Sequence, residues 1–161
     1  MTRTRATPIS QQMSGVPVTV EPATDAGRLY PRYKNSIGIL TLESALPRVS
    51  AYNLNIDGTL MLDFDEQRVL AVVELIAPMS AWRGKAGVAQ PLGRPGDIRL
   101  AEGISGLDFD WPVVITKDVK GDMARISFGS SDFNRAVALS DKASALVLDY
   151  QLTGFWFSFA R

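Results

Sequence analysis

The chain has 161 residues, 46% hydrophobic and 21% charged, with 17 lysines and arginines balanced by 17 acidic residues and neither cysteine nor histidine. A chain of this length can bury roughly 70% of its unfolded surface, so a single domain needs neither disulfides nor a structural metal. The missing residue types remove disulfide frameworks, thiol nucleophiles, imidazole bases, the Ser-His-Asp triad and the usual zinc and copper sites, and the zero net charge provides no field to draw the chain to nucleic acid.

Residues 1–27 contain Pro8, Pro17 and Pro22 among Ser, Thr and Gln and have no apolar run of the kind a secretory signal needs. They read as a flexible N-terminal arm ahead of one β-rich domain over 28–161. No later stretch approaches the ~18 uninterrupted apolar residues of a membrane span, which points to a cytoplasmic protein with no membrane partner.

From Ser36 the pattern is a series of short alternating segments. Ser36 to Glu43 suits a strand covered on both sides, and Pro47 ends it. Ser50 to Ile56 alternates Tyr52, Leu54 and Ile56 with Asn53 and Asn55, and Asp57-Gly58 then supplies a tight hairpin turn into Thr59 to Asp65. Arg68 to Ala77, interrupted only by Glu74, predicts a third and more buried strand ending at Pro78.

Pro78 to Pro95 carries Gly84, Gly87, Pro91 and Gly93 and predicts a long loop. Beyond it, Ile98 to Leu100, Trp111 to Thr116, Met123 to Gly129 and Val137 to Leu139 read as short strands, with a helical turn around Ser131 to Ala136. Ala143 to Tyr150 and Gln151 to Ala160 form a strongly apolar hairpin. In its last strand Phe155, Phe157 and Phe159 alternate with Trp156 and Ser158, which is too apolar for an open sheet edge. That strand must lie centrally in a sheet or have its outer face covered by a partner or second subunit; an aromatic ligand pocket is a third reading, without a distinctive polar anchor. The fold class is therefore all-β, an antiparallel β-sandwich or a partly open β-barrel.

Three groups of residues carry candidate chemistry. Asp63, Asp65 and Glu66 offer oxygen ligands to a hard cation but lack the spacing and glycine of a calcium loop, so they read as solvated turn carboxylates. Asp108 and Asp110 could form an acid and base pair only if their separation suited it; a turn leading into Trp111 is the simpler reading. The stretch WRGKAGVAQPLGRPG lacks the Gly-x-x-x-x-Gly-Lys-Ser/Thr pattern and a following helix, which rules against a nucleotide site. It does place Trp82, Arg83, Lys85 and Arg94 on one connection, combining aromatic area with positive charge as in protein recognition hot spots.

TLMLDFDEQRVLAVVELIAP and ALVLDYQLTGFWFSFAR resemble segments of small bacterial β-rich proteins of unknown function and of immunity proteins from polymorphic toxin systems. The resemblance implies a cytoplasmic, non-enzymatic protein that neutralises a cognate toxin by occlusion, and no cofactor is expected. The sequence expectation is thus a protein-binding module using Trp82, Arg83, Lys85 and Arg94, with a toxin or a second copy of the chain as partner. The alternative is a small-ligand binder using the sandwich or barrel interior.

Overall fold

Strand periodicity governs the whole of the described chain, residues 14–34, 36–84, 88–104, 108–118 and 122–159 of a computed structural model, which holds fifteen strands, two single-turn 3-10 segments and no α-helix. The local chemistry is plainest in the hairpin β4 (Tyr52–Ile56) and β5 (Leu60–Phe64). Asp57 and Gly58 both adopt positive φ, 55° and 66°, the mirror-image turn whose twist matches antiparallel strands and which Asp-Gly favours. Leu54, Ile56, Leu60, Leu62 and Phe64 all fall on one face and are fully buried.

β6 (Leu70–Ile76) pairs with β5 on one side and with β3 (Ile39–Glu43) on the other. It is the interior strand that its Val- and Leu-rich sequence predicts. β2 (Tyr30–Lys34) and β10 (Asp108–Phe109) complete a six-stranded sheet in the order β10-β4-β5-β6-β3-β2. The edge strand β2 carries Pro31, Arg32 and Lys34, residue types that discourage further strand pairing.

The larger, nine-stranded sheet centres on β14 (Ala143–Leu148) and β15 (Gln151–Ser158). β15 is hydrogen-bonded to β14 on one side and to β12 (Met123–Ser127) on the other, so the strand too apolar for an edge lies centrally. Outward from this pair lie β11 (Val114–Lys117) and β7 (Arg83–Gly84) beyond β12, and β13 (Arg135–Ser140) and β8 (Arg94–Pro95) beyond β14. No helical turn forms around Ser131 to Ala136; the chain there leads straight into β13.

The two sheets face each other as a sandwich and do not close into a barrel. Leu40, Leu42, Leu62, Val73 and Leu75 of one sheet join Ile126, Ala145, Phe155 and Phe157 of the other in one apolar core. Pairing is antiparallel except where the two-residue strands β7, β8 and β10 run parallel to their neighbours. No helix among the described residues is long and apolar enough to cross a membrane.

A further expectation, at the N-terminus, is overturned. The segment read as the last part of an arm over 1–27 contains β1 (Val16–Glu21), which pairs with β15 through Val16 and Pro17 and with β9 (Asp97–Leu100) through Val18 to Glu21. Val16 and Val18 are fully buried. The polar flanks and prolines concealed a strand of only six residues, and Pro17 is tolerated because it sits at the strand's start.

Buried and half-buried arginines hold the connections in place. Arg68, at the β5–β6 turn with φ 68°, donates through its guanidinium to the carbonyls of Leu100 (3.1 Å), Ala101 (2.6 Å) and Ile104 and covers the Tyr52 ring at 4.3 Å. Arg28 reaches the carbonyls of Ala138 (3.0 Å) and Gly96 (2.8 Å) and pairs with buried Asp97 at 3.4 Å. A side chain at Gly27 would collide with the Asp97 carboxylate, so this contact requires glycine.

A chain lacking residues 1–21 should lose more than about 3 kcal/mol of stability in denaturant titration, since burial of Val16 and Val18 alone contributes about 1.5–3 kcal/mol each. A change below about 1 kcal/mol would remove β1 from the cooperative core.

Candidate functional site

The connection read as a recognition loop does not present its residues together. Trp82 is only 4% exposed and packs between the sheets, 5.6 Å from the Tyr33 ring and 6.0 Å from Phe157, with its Nε1–H donating to the Ala77 carbonyl at 3.3 Å. Its aromatic area is used internally, which corrects its expected role as an exposed anchor. Lys85 lies outside the described residues.

Arg83 and Arg94 are both exposed, but β7 and β8 form opposite edges of the larger sheet. Six inter-strand steps separate them, a span of about 29 Å along a sheet with ~4.8 Å strand spacing.

Val88 is buried, and Val88, Ala89 and Pro91 stand over the outer face of the larger sheet. With Thr116, Arg125, Phe133, Leu146 and Trp156 they enclose a recess of about 110 Å³. Register explains its composition. Thr116 on β11 pairs with Arg125 on β12, Arg125 with Trp156 on β15, and Trp156 with Ser144 on β14. Directly paired residues project to the same face. One polar and aromatic row therefore crosses the sheet on the side opposite Phe155 and Phe157.

Two donors in this row are unused. Trp156 is 2% exposed, and its indole Nε1 is buried with no acceptor among the described residues. The Nε of half-buried Arg125 is likewise buried without a partner. The same guanidinium donates through Nη2 to the Ser131 carbonyl and lies over the Phe133 ring at 4.9 Å. Burial lowers the Arg125 pKa from its ordinary value, and the nearby Asp132 charge partly offsets this. Buried donors ordinarily find partners, because leaving one unsatisfied costs about 1–3 kcal/mol. The arrangement can therefore accept an oxygen-bearing group from a ligand, with Leu146, Val88 and Pro91 as apolar walls.

An open groove of about 860 Å³ adjoins the recess and shares Pro91 and Phe133 with it. Leu92, Arg94, Asn134 and Arg135 also line the groove. Among the described residues, Arg94 is thus the one predicted site residue found beside the recess.

The acidic candidates have structural roles or stand apart. Asp63 accepts a hydrogen bond from Asn53. Asp65 pairs with Arg48 at 2.6 Å and caps its own turn by accepting from the Gln67 and Val69 amides, each at 2.9 Å. Glu66 is exposed, as are Asp108 and Asp110. Among the described residues no three metal-ligating side chains gather.

Arg125, Phe133, Leu146 and Val88 escaped the sequence reading. The available signal was a charged residue inside β12, where Ala124 and Ile126 flank Arg125, but its partner Trp156 is set by long-range register. Comparison with protein-family models and with curated proteins finds no match to this chain.

Trp82→Ala should destabilise the protein by about 3–5 kcal/mol, as expected for removing a buried indole. Arg83→Ala and Arg94→Ala should each stay within about 0.5 kcal/mol in thermal or urea unfolding.

Proposed function

We propose that this chain is a non-enzymatic, cytoplasmic small-ligand-binding β-sandwich whose site is the recess on the outer face of the larger sheet. The observation that carries this reading is the pair of buried, unpartnered donors, Trp156 Nε1 and Arg125 Nε, on paired positions of adjacent strands beside a preformed cavity. Such a cavity, mostly apolar with a few convergent polar groups, is the usual form of a small-molecule site. The sandwich interior is filled by side chains of both sheets, so the site belongs outside the core and beneath the chain's own connection. Among the described residues no carboxylate lines the recess, and binding alone accounts for its chemistry.

A second reading retains a protein partner, in the manner of a toxin-neutralising immunity protein. It is favoured by Leu92, which is 97% exposed in the groove with Arg94 and Arg135. An apolar side chain among positive charges suits an acidic protein surface.

The ligand reading is tested by ¹⁵N-indole NMR against a panel of small organic acids, amides and alcohols. At least one compound should shift the Trp156 indole resonance saturably, and Leu146→Trp, which fills the recess, should abolish the response. Silence of that resonance across the panel would overturn the reading. For the second reading, Leu92→Asp should weaken an identified acidic partner while leaving recess binding unchanged.

A further inference from the structure

Resting on the small-ligand reading, we infer that the recess is a carboxylate site, in which a short-chain monocarboxylic acid places its oxygens on Arg125 and Trp156 and its hydrocarbon tail against Leu146, Val88 and Pro91.

Three observations select this class. First, both groups lacking partners are donors: an indole N–H and a guanidinium N–H, neither able to accept a hydrogen bond. A ligand must therefore bring acceptors, and a carboxylate brings two oxygens with about four lone-pair directions. Second, Arg125 forms no ion pair among the described residues. Its guanidinium meets the Ser131 carbonyl and the Phe133 face, and Asp132 acts on it only through space, with no ion pair formed between the two. An anion supplies the missing countercharge, and charge-assisted bonds are about twice as strong as neutral ones.

Third, size and wall chemistry limit the rest of the molecule. The recess of about 110 Å³ is smaller than the ~150 Å³ apolar cavity that accommodates benzene, so it takes a carboxylate and a tail of a few carbons. Leu146, Val88, Ala89 and Pro91 offer that tail apolar contact. Inorganic phosphate has no hydrocarbon to place there, and a larger acid would have to emerge into the groove between Pro91 and Phe133. Trp156, buried on the central strand, and Arg125 beside it are held by the sheet itself, so the donors are positioned before the ligand arrives.

Butanoate, butanamide, 1-butanol and inorganic phosphate are titrated separately into ¹⁵N-indole-labelled protein. Butanoate should shift the Trp156 resonance saturably and leave those of Trp82 and Trp111 in place. Arg125→Gln should weaken butanoate at least about tenfold, the loss expected for a charge-assisted hydrogen bond, and should bring it level with butanamide. Trp156→Phe, followed from the ligand by saturation-transfer NMR, should also weaken butanoate and supplies an independent arm should Arg125→Gln fail to fold. If butanamide or 1-butanol binds as well as butanoate, the recess is a ligand site but the carboxylate assignment is wrong. An equal response to phosphate would replace it with a general anion site. If none of the compounds moves the Trp156 resonance, the carboxylate assignment falls, and continued silence across the wider panel removes the ligand reading with it.

Discussion

A central strand that is apolar on both sides must be covered on both sides, and the architecture follows from that demand at β15. Phe155 and Phe157 enter the core against the six-stranded sheet, while Trp156 faces the opposite way. Leaving it in water would forfeit the burial of a side chain of some 200 Å². In the connection between β7 and β8, Val88, Ala89 and Pro91 resolve this by standing above Trp156. Cover and recess thus have a single origin: a cover made of Val88, Ala89 and Pro91 is too small to fill the space beside an indole and a guanidinium.

The second constraint is how an all-β chain without disulfides fixes its long connections. Arg28, Arg48 and Arg68 each direct a guanidinium to main-chain carbonyls, those of Ala138, Leu70 and Leu100 among them. A rigid fork with five donors can satisfy several carbonyls at once. Such cations are costly to desolvate, and their contribution lies as much in specifying where the connections dock as in net stability. Arg125 has the same residue type and a buried guanidinium nitrogen, yet only part of its donor capacity is used. Arg28 likewise keeps a buried Nε without a partner; Arg125 differs in lying beside a recess that holds a second unpartnered donor, Trp156 Nε1.

Burial of Trp82 follows from the same economy of aromatic surface. Tyr33, Trp82, Phe157 and Phe159 close one end of the sandwich, and Phe109, Trp111 and Phe128 form a stacked group elsewhere in the core, with Phe109 and Trp111 centroids 4.4 Å apart. An aromatic residue beside arginines in a sequence is equally compatible with a surface anchor and with a core plug. The side on which β7 pairs with β11 decides between them.

Local chemistry alone determined much of the protein: the β class, the mirror-image turn at Asp57-Gly58, the burial of β6 and the need to cover both faces of the phenylalanine-rich strand. Each depends on alternation or turn geometry within a few residues, which physical chemistry reads without knowing the partners. β1 was missed because six residues between polar flanks carry little periodic signal, and their burial depends on two distant strands. The site was hidden for the same reason. Neither Arg125 nor Trp156 is distinctive alone; they come to line one recess through the antiparallel register of β12 with β15 and the crossing of Val88 to Pro91 above them. Register and crossing are long-range choices made by packing the whole sandwich, so only the tertiary structure could decide that two unremarkable strand residues share one recess while Arg83 and Arg94, close in sequence, stand at opposite edges.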